Sequence, residues 1–207
     1  MAVQLPGREY RLDESLLTDA HRIAGLVTEI LPLDKRFVFF GHSMGALLEF
    51  EVARLLREQG LRQPEMLIAS GRNAPQFKWR DIGMQLLPDD EFVAALIAYK
   101  GTPGFLLENL ALRDIVLPRI RADLTVSAEY RYVEKDPLEC PIVVLLGNQD
   151  ELSTEAGVNG WRTQTTAEVR YFRFAGNHFF LHSAEQLVLS RIAEELTKLM
   201  AHQPIGG

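Results

Sequence analysis

The chain has 207 residues, 47% of them hydrophobic, enough for the core of a single domain spanning 1–207 and too many for a disordered chain. Its 22 basic and 28 acidic residues give a formal charge of -6 with no dense basic cluster, which argues against nucleic acid as a partner. No apolar run approaches the roughly 20 residues of a membrane span, no signal-peptide layout is visible, and the one cysteine, Cys140, excludes an internal disulfide framework, so a cytoplasmic protein is expected.

In chain order, Ala2 to Leu5 reads as a short strand ended by the turn pair Pro6-Gly7. Ala20, Ile23, Ala24, Val27, Ile30 and Leu31 then recur at the spacing of one apolar helix face, and Pro32 stops that helix. Phe37 to Phe40 is apolar on both faces and is expected to be a central strand, followed by a helix from Ala46 to Gln59 that Gly60 closes. Met66 to Ala69 is the next buried strand. This β-α-β-α-β rhythm predicts a mostly parallel sheet with helices on both faces.

Between Asn73 and Pro137 the rhythm breaks. Asp89 reads as the N-cap of a helix reaching Tyr99, with Phe92, Val93, Leu96 and Ile97 on one face and Gly101-Thr102-Pro103-Gly104 ending it. A second helical stretch, Leu112 to Val133, contains Pro118, which is expected to kink or divide it. The segment at about 76–136 is therefore read as a helical lid inserted across the end of the sheet. Strands resume at Ile142 to Leu146 and Val169 to Phe174, with helices around Glu155 to Arg162 and Ala184 to Met200.

The chemistry centres on Gly41-His42-Ser43-Met44-Gly45, a Gly-x-Ser-x-Gly pentapeptide between a strand and a helix. In such an elbow the chain turns sharply, and side chains at both flanking positions are expected to clash. Ser43 is the candidate nucleophile, and the helix N-terminus favours negative charge beside it. A serine hydroxyl needs a base, and the base needs an orienting carboxylate. Asp150, in Gly147-Asn148-Gln149-Asp150, and His178, in Ala175-Gly176-Asn177-His178, each lie just beyond a strand, on the sheet edge that carries Ser43.

Alternatives remain for both partners: His182 competes with His178, and Glu151 and Glu155 compete with Asp150. His42 is expected to pack beside the nucleophile, His21 and His202 to be solvated, and Glu134-Lys135-Asp136 to be a solvated charge run. Cys140 reads as a buried structural thiol and Trp161 as a packing residue, whereas Trp79 packs or lines an acyl pocket. No metal-ligand spacing and no Gly-rich phosphate loop is present, so no metal and no cofactor is expected.

Six segments carry a family resemblance: Leu5-Pro6-Gly7-Arg8-Glu9, Phe39 to Ala46, Ser70-Gly71-Arg72-Asn73-Ala74-Pro75, Gly101-Thr102-Pro103, Leu117 to Asp123, and Gly176-Asn177-His178-Phe179-Phe180-Leu181. With these the chain resembles the type II thioesterases, stand-alone α/β hydrolases that serve nonribosomal peptide and polyketide synthases and are related to an animal fatty acyl thioesterase. The resemblance implies Ser43 as nucleophile, His178 as base, Asp150 as its orienter and a lid that shapes the acyl chamber. It also implies hydrolysis of acyl groups from the phosphopantetheine arm of an acyl or peptidyl carrier protein, by an enzyme read as a monomer.

One departure stands out. Members of that family carry a further strand and a His-Ala-Gly-Gly-type loop ahead of the Leu-Pro-Gly-Arg motif, and here Met1 lies four residues before Leu5. The Met44 N-H is then the one visible oxyanion donor, and the second is expected to be absent. The absent strand's neighbours would be Ala2 to Leu5 and Phe37 to Phe40. Either those two re-pair directly, or another chain fills the gap, or the chain is truncated. Two other functions stay open: a general carboxylesterase on small esters, and a catalytically impaired relative that binds a carrier protein or partner subunit.

Overall fold

The computed structural model describes residues 1–79, 83–99, 101–102 and 104–201; the expected stop at Pro103 and the tail residue His202 lie outside them. Four parallel strands form one sheet in the order β1 (Phe39–His42), β2 (Leu67–Ser70), β3 (Ile142–Gly147), β4 (Val169–Phe174). The register sets Phe39 beside Leu67, Leu67 beside Ile142, and Ile142 beside Val169, so all four carboxyl ends emerge on one edge.

Period-2 alternation sorts the strand residues onto two faces. Leu67, Ala69, Ile142, Val144 and Leu146 pack with Ala46, Phe50 and Ala53 of α2 (Met44–Glu58) and with Trp161. Ile68, Val143, Leu145 and Phe174 face Phe180 of α7 (Phe180–Ser183), Ala184, and Val188 of α8 (Glu185–Ala201). The apolar stripe Ala20, Ile23, Ala24 and Val27 of α1 (Ala20–Ile30) packs on Leu47, Leu48, Val52 and Leu56 of α2. Asp19 starts α1 by accepting the Arg22 N-H at 2.7 Å. Ile30, expected on the buried stripe, is exposed.

Two strand expectations are corrected. Ala2 to Leu5 forms no strand: the Gln4 carbonyl is taken by Arg11 Nη1 at 2.8 Å, and the Gln4 amide donates to the Arg8 carbonyl at 2.7 Å. The Gln4 carbonyl, a group that a ladder would need, is thereby occupied, the second bond being made by the Gln4 side-chain amide; the direct re-pairing with Phe37–Phe40 does not occur. The strand there starts at Phe39 and is an outer strand, with Phe40 47% exposed. Its apolarity has another source: Phe37 and Phe39 cover the α1–α2 cluster, and Val38 faces the α8 cluster. Apolar residues that cover helix clusters do not require two ladder neighbours. Only β2 and β3 are buried along their whole lengths.

Between β2 and β3 lie α3 (Asp89–Tyr99), α4 (Gly104–Glu108) and α5 (Leu110–Glu129). Asp89 is the first helical residue instead of the cap, and its carboxylate binds Arg121 at 2.6 Å; Phe92 and Leu96 are buried while Ile97 is exposed. Asn109 caps α5 through the N-H groups of Ala111 and Leu112. The helix runs through Pro118 undivided. Pro118 lies on the exposed side, where water can serve the carbonyl whose partner is lost, while Leu117, Ala122 and Val126 bury the other side. The expected helix at Glu155 to Arg162 is α6 (Glu155–Asn159) continued as one 3-10 turn.

Candidate active site

Ser43 sits at the junction of β1 and α2 with φ of +53°, a left-handed conformation that a serine rarely adopts. Its N-H is anchored on the Ser70 carbonyl at 2.8 Å. A Cβ at Gly41 would lie 2.2 Å from the Gly45 carbonyl carbon and 2.5 Å from the Ala46 nitrogen, so only glycine lets the strand run so close under the helix start. Gly45 is different: a Cβ there meets nothing within 4 Å. The expectation that both glycines relieve a clash therefore holds for Gly41 alone. Met44 and Gly45 open α2, where N-H groups lack intrahelical acceptors, and the Ser43 hydroxyl makes no capping bond to them.

The loops after β3 and β4 bring the other two candidates together. Backbone bonds from Asn148 to Phe174 at 2.8 Å and from Gln149 to Gly176 at 2.9 Å extend the pairing beyond the strands. His178 Nδ1 and Asp150 Oδ2 then meet at 3.1 Å, both buried. Asp150 also accepts the Leu152 N-H at 3.0 Å and the Ser153 hydroxyl at 3.1 Å. Burial by itself would raise this carboxyl, but its hydrogen bond with His178, the His178 charge and these two donors outweigh burial and hold it below its ordinary value. Glu151 and Glu155 are exposed, as is His182. Ser43 Oγ makes no hydrogen bond to His178, a looseness common in such pairs before substrate arrives.

Around His178 stands a ring of aromatic groups. His42 lies 4.9 Å away between centroids, Phe179 5.1 Å, Tyr99 of α3 6.0 Å and Trp79 6.2 Å. His42 bonds Ser70 Oγ through Nδ1 at 2.9 Å, and its Nε2 is buried without a partner. Burial, reinforced by the neighbouring His178, pushes the His42 imidazole down to about 3, so it is neutral at physiological pH. Gly71, with φ of +62°, permits this contact, because a Cβ there would lie 2.6 Å from the His42 ring.

Two residues at the site were visible in the sequence only as parts of a motif. Asn73 donates to the Leu152 carbonyl at 3.3 Å and accepts the Thr154 N-H at 3.0 Å, stitching the loop after β2 to the loop that carries Asp150. Arg72 is buried with Nη1 3.4 Å from the Ser43 carbonyl oxygen and 3.1 Å from Ser127 Oγ of α5, and its guanidinium lies 4.6 Å over the Trp79 ring. Their place two and three residues beyond β2, in Ser70-Gly71-Arg72-Asn73, was the available signal for both. Of the remaining expectations, Trp161 is a fully buried core residue, Lys135 pairs with Glu58, and His21 is exposed beside Glu51. Cys140 is buried, which pushes its thiol up to about 12.

A parallel sheet with helices on both faces, a serine at a strained strand-to-helix turn and a buried His-Asp pair on the same edge define an α/β hydrolase of the serine type. The chain matches the family described as "Thioesterase domain" over residues 1–199. It belongs to the thioesterase family, and is thus a hydrolase of thioesters. It is 39% identical to the gramicidin S biosynthesis protein GrsT of Aneurinibacillus migulanus over 202 residues, covering 97% of this chain and 79% of that one. Among solved structures it is similar to RedJ, the thioesterase of the prodiginine pathway in Streptomyces coelicolor, with a TM-score of 0.85, 33% identity, and 93% and 74% of the two chains covered. The type II thioesterase BorB of the borrelidin cluster superposes with a TM-score of 0.84 at 36% identity, over 94% and 80% of the two chains. Among the described residues no helix is long and apolar enough to cross a membrane.

Proposed function

We propose that this thioesterase releases acyl groups from the phosphopantetheine arm of an acyl or peptidyl carrier protein, with Ser43, His178 and Asp150 as its triad. The observation that carries the reading is the coincidence, on one sheet edge, of a strained serine and a histidine held by a buried, ionised aspartate. The carrier-bound substrate is supported by the relatives, which belong to gramicidin S, prodiginine and borrelidin biosynthesis.

In this reading Asp150 fixes the Nδ1-H tautomer of His178, leaving Nε2 to accept a proton. Ser43 Oγ attacks the thioester carbonyl while His178 takes the hydroxyl proton. The carbonyl electron pair moves onto oxygen, where the Met44 N-H and the start of α2 oppose the new negative charge. Collapse of this intermediate breaks the C-S bond, and His178 protonates the departing pantetheine thiolate. Water, deprotonated by the same imidazole, then attacks the acyl-serine and frees the acid. Side chains and water account for every step, so no metal or cofactor enters the scheme. The insertion at about 76–136 serves as a lid over the acyl group, with Trp79 and Tyr99 facing His178 from it.

The test compares kcat/KM on an acyl-carrier-protein thioester with that on the nitrophenyl ester of the same acyl chain. A preference of at least about tenfold for the carrier-bound thioester is expected, equivalent to about 1.4 kcal/mol of differential transition-state binding. Equal rates would make the enzyme a general esterase.

A further inference from the structure

The chain buries two arginines to the same extent and treats them differently. Arg54 and Arg72 are both 4% exposed. Arg54 is neutralised by Glu51 at 2.9 Å, with Phe50 and Tyr132 against its guanidinium. Arg72 has no carboxylate within ion-pair reach among the described residues: it is held by the Ser43 carbonyl, the Ser127 hydroxyl and the Trp79 face, all neutral. Burial lowers its guanidinium to about 10, which leaves it fully charged at neutral pH. Beside it the Trp79 indole N-H is buried with no acceptor. An uncompensated cation in such surroundings is costly to keep.

We propose that Arg72 is a positioning residue of acyl transfer: seated against the Ser43 carbonyl, it provides the counter-charge for the tetrahedral oxyanion formed when Ser43 attacks a thioester. The inference rests on Ser43 being the nucleophile. Three anchors fix the cation. Trp161 donates its indole N-H to the Arg72 backbone carbonyl at 3.0 Å, Ser127 reaches it from α5, and Trp79 stacks on it between Arg72 and His178. Because the charge is fixed before the reaction, it needs no reorganisation when the oxyanion appears. A lysine would keep the cation but lose the planar stacking and the simultaneous reach to Ser43 and Ser127.

The test uses an acyl-pantetheine thioester and a trifluoromethyl ketone of the same acyl chain, which adds to the serine as an oxyanion. Arg72→Gln is expected to lower kcat by about 10²-fold, with KM changed by less than about threefold and ketone affinity falling in parallel with kcat. Arg72→Lys should recover about tenfold of that loss. Ser127→Ala, which removes one of the three anchors and leaves the charge, should lower kcat by less than Arg72→Gln, by about three- to tenfold. The inference is overturned if Arg72→Gln turns over within about threefold of the parent, if its ketone affinity is unchanged while kcat falls, or if Ser127→Ala is as damaging. Should Arg72→Gln not fold, Arg72→Lys decides: a kcat about tenfold below the parent with ketone affinity falling in parallel supports the proposed role, and a kcat within about threefold of the parent, or an unchanged ketone affinity while kcat falls, overturns it. If the parent itself shows no Ser43-dependent turnover, the proposed triad fails, and that outcome is read before any Arg72 variant is compared.

Discussion

The loops after β3 and β4 hold His178 and Asp150 through side-chain and backbone hydrogen bonds, whereas the turn after β1 holds Ser43 through its main chain alone. Asp150 follows β3, an inner strand, and His178 follows β4, which like β1 lies at a sheet edge; on β1 Phe40 faces solvent. In the proposed scheme the base and its orienter are thus fixed by partners, and the nucleophile is fixed by backbone shape. Damage to the two regions should differ accordingly: loss of partners on one side, steric collision on the other.

The largest effect is expected at the nucleophile. Ser43→Ala should reduce kcat by at least about 10⁴-fold with the thermal midpoint unchanged, since the hydroxyl supports no structural hydrogen bond. A drop of less than about tenfold would move the nucleophile elsewhere. Asp150→Asn tests the partnered region. It keeps the volume but favours the wrong His178 tautomer, so a loss of about 10²- to 10⁴-fold in kcat is expected at near-constant KM.

Smaller effects sharpen the steric side of the comparison. Gly41→Ala drives a methyl group into the backbone of Gly45 and Ala46 and should cost about 3 kcal/mol or more in urea unfolding. Gly45→Ala fills open space near the start of a helix and should be neutral or stabilise by up to about 1 kcal/mol, a contrast that two-glycine sterics would not produce.

Glu49, on α2 behind the nucleophile, gives a pH-dependent test. Burial raises its carboxyl well above 4.5, and neither oxygen has a hydrogen-bond partner. The folded state therefore holds this proton more tightly than the unfolded chain. Its favourable contribution is complete below about pH 4.5 and is lost as pH rises through the folded value. Against Glu49→Gln, the parent should lose stability with rising pH, by at most about 1.4 kcal/mol per unit. Parallel stability curves from pH 5 to 8 would contradict this account.

How far the sequence foretold this arrangement depended on what local pattern can encode. Ile142–Leu146 was legible to within one residue, because an apolar run bounded by turns reports burial directly, and Val169–Phe174 to the residue, although Arg170 and Arg173 interrupt it and only Phe174 is buried. The elbow and the His-Asp pair followed from where strands end. Ladder position was not legible: Phe37 to Phe40 looks central because it is apolar throughout, although only one edge is paired and Phe40 faces solvent. Ala2 to Leu5 has strand-like composition, but the Gln4 carbonyl is taken by Arg11, seven residues away. Pro118 does not divide its helix because its exposure, a tertiary property, decides whether the orphaned carbonyl meets water. Arg72 and Asn73 remained mute for a related reason. Their roles exist only when the loop after β2 meets the elbow, α5 and the Asp150 loop.

The central claim is that Ser43 becomes acylated through His178 and Asp150. Rapid quenching of the enzyme with an acyl-pantetheine thioester, followed by peptide mass spectrometry, tests it most directly. The account predicts a burst of about one equivalent of thiol per enzyme and an acyl mass increment on the peptide bearing Ser43, abolished in Ser43→Ala. Turnover of the thioester with no adduct at Ser43, or an adduct that persists in Ser43→Ala, would contradict it.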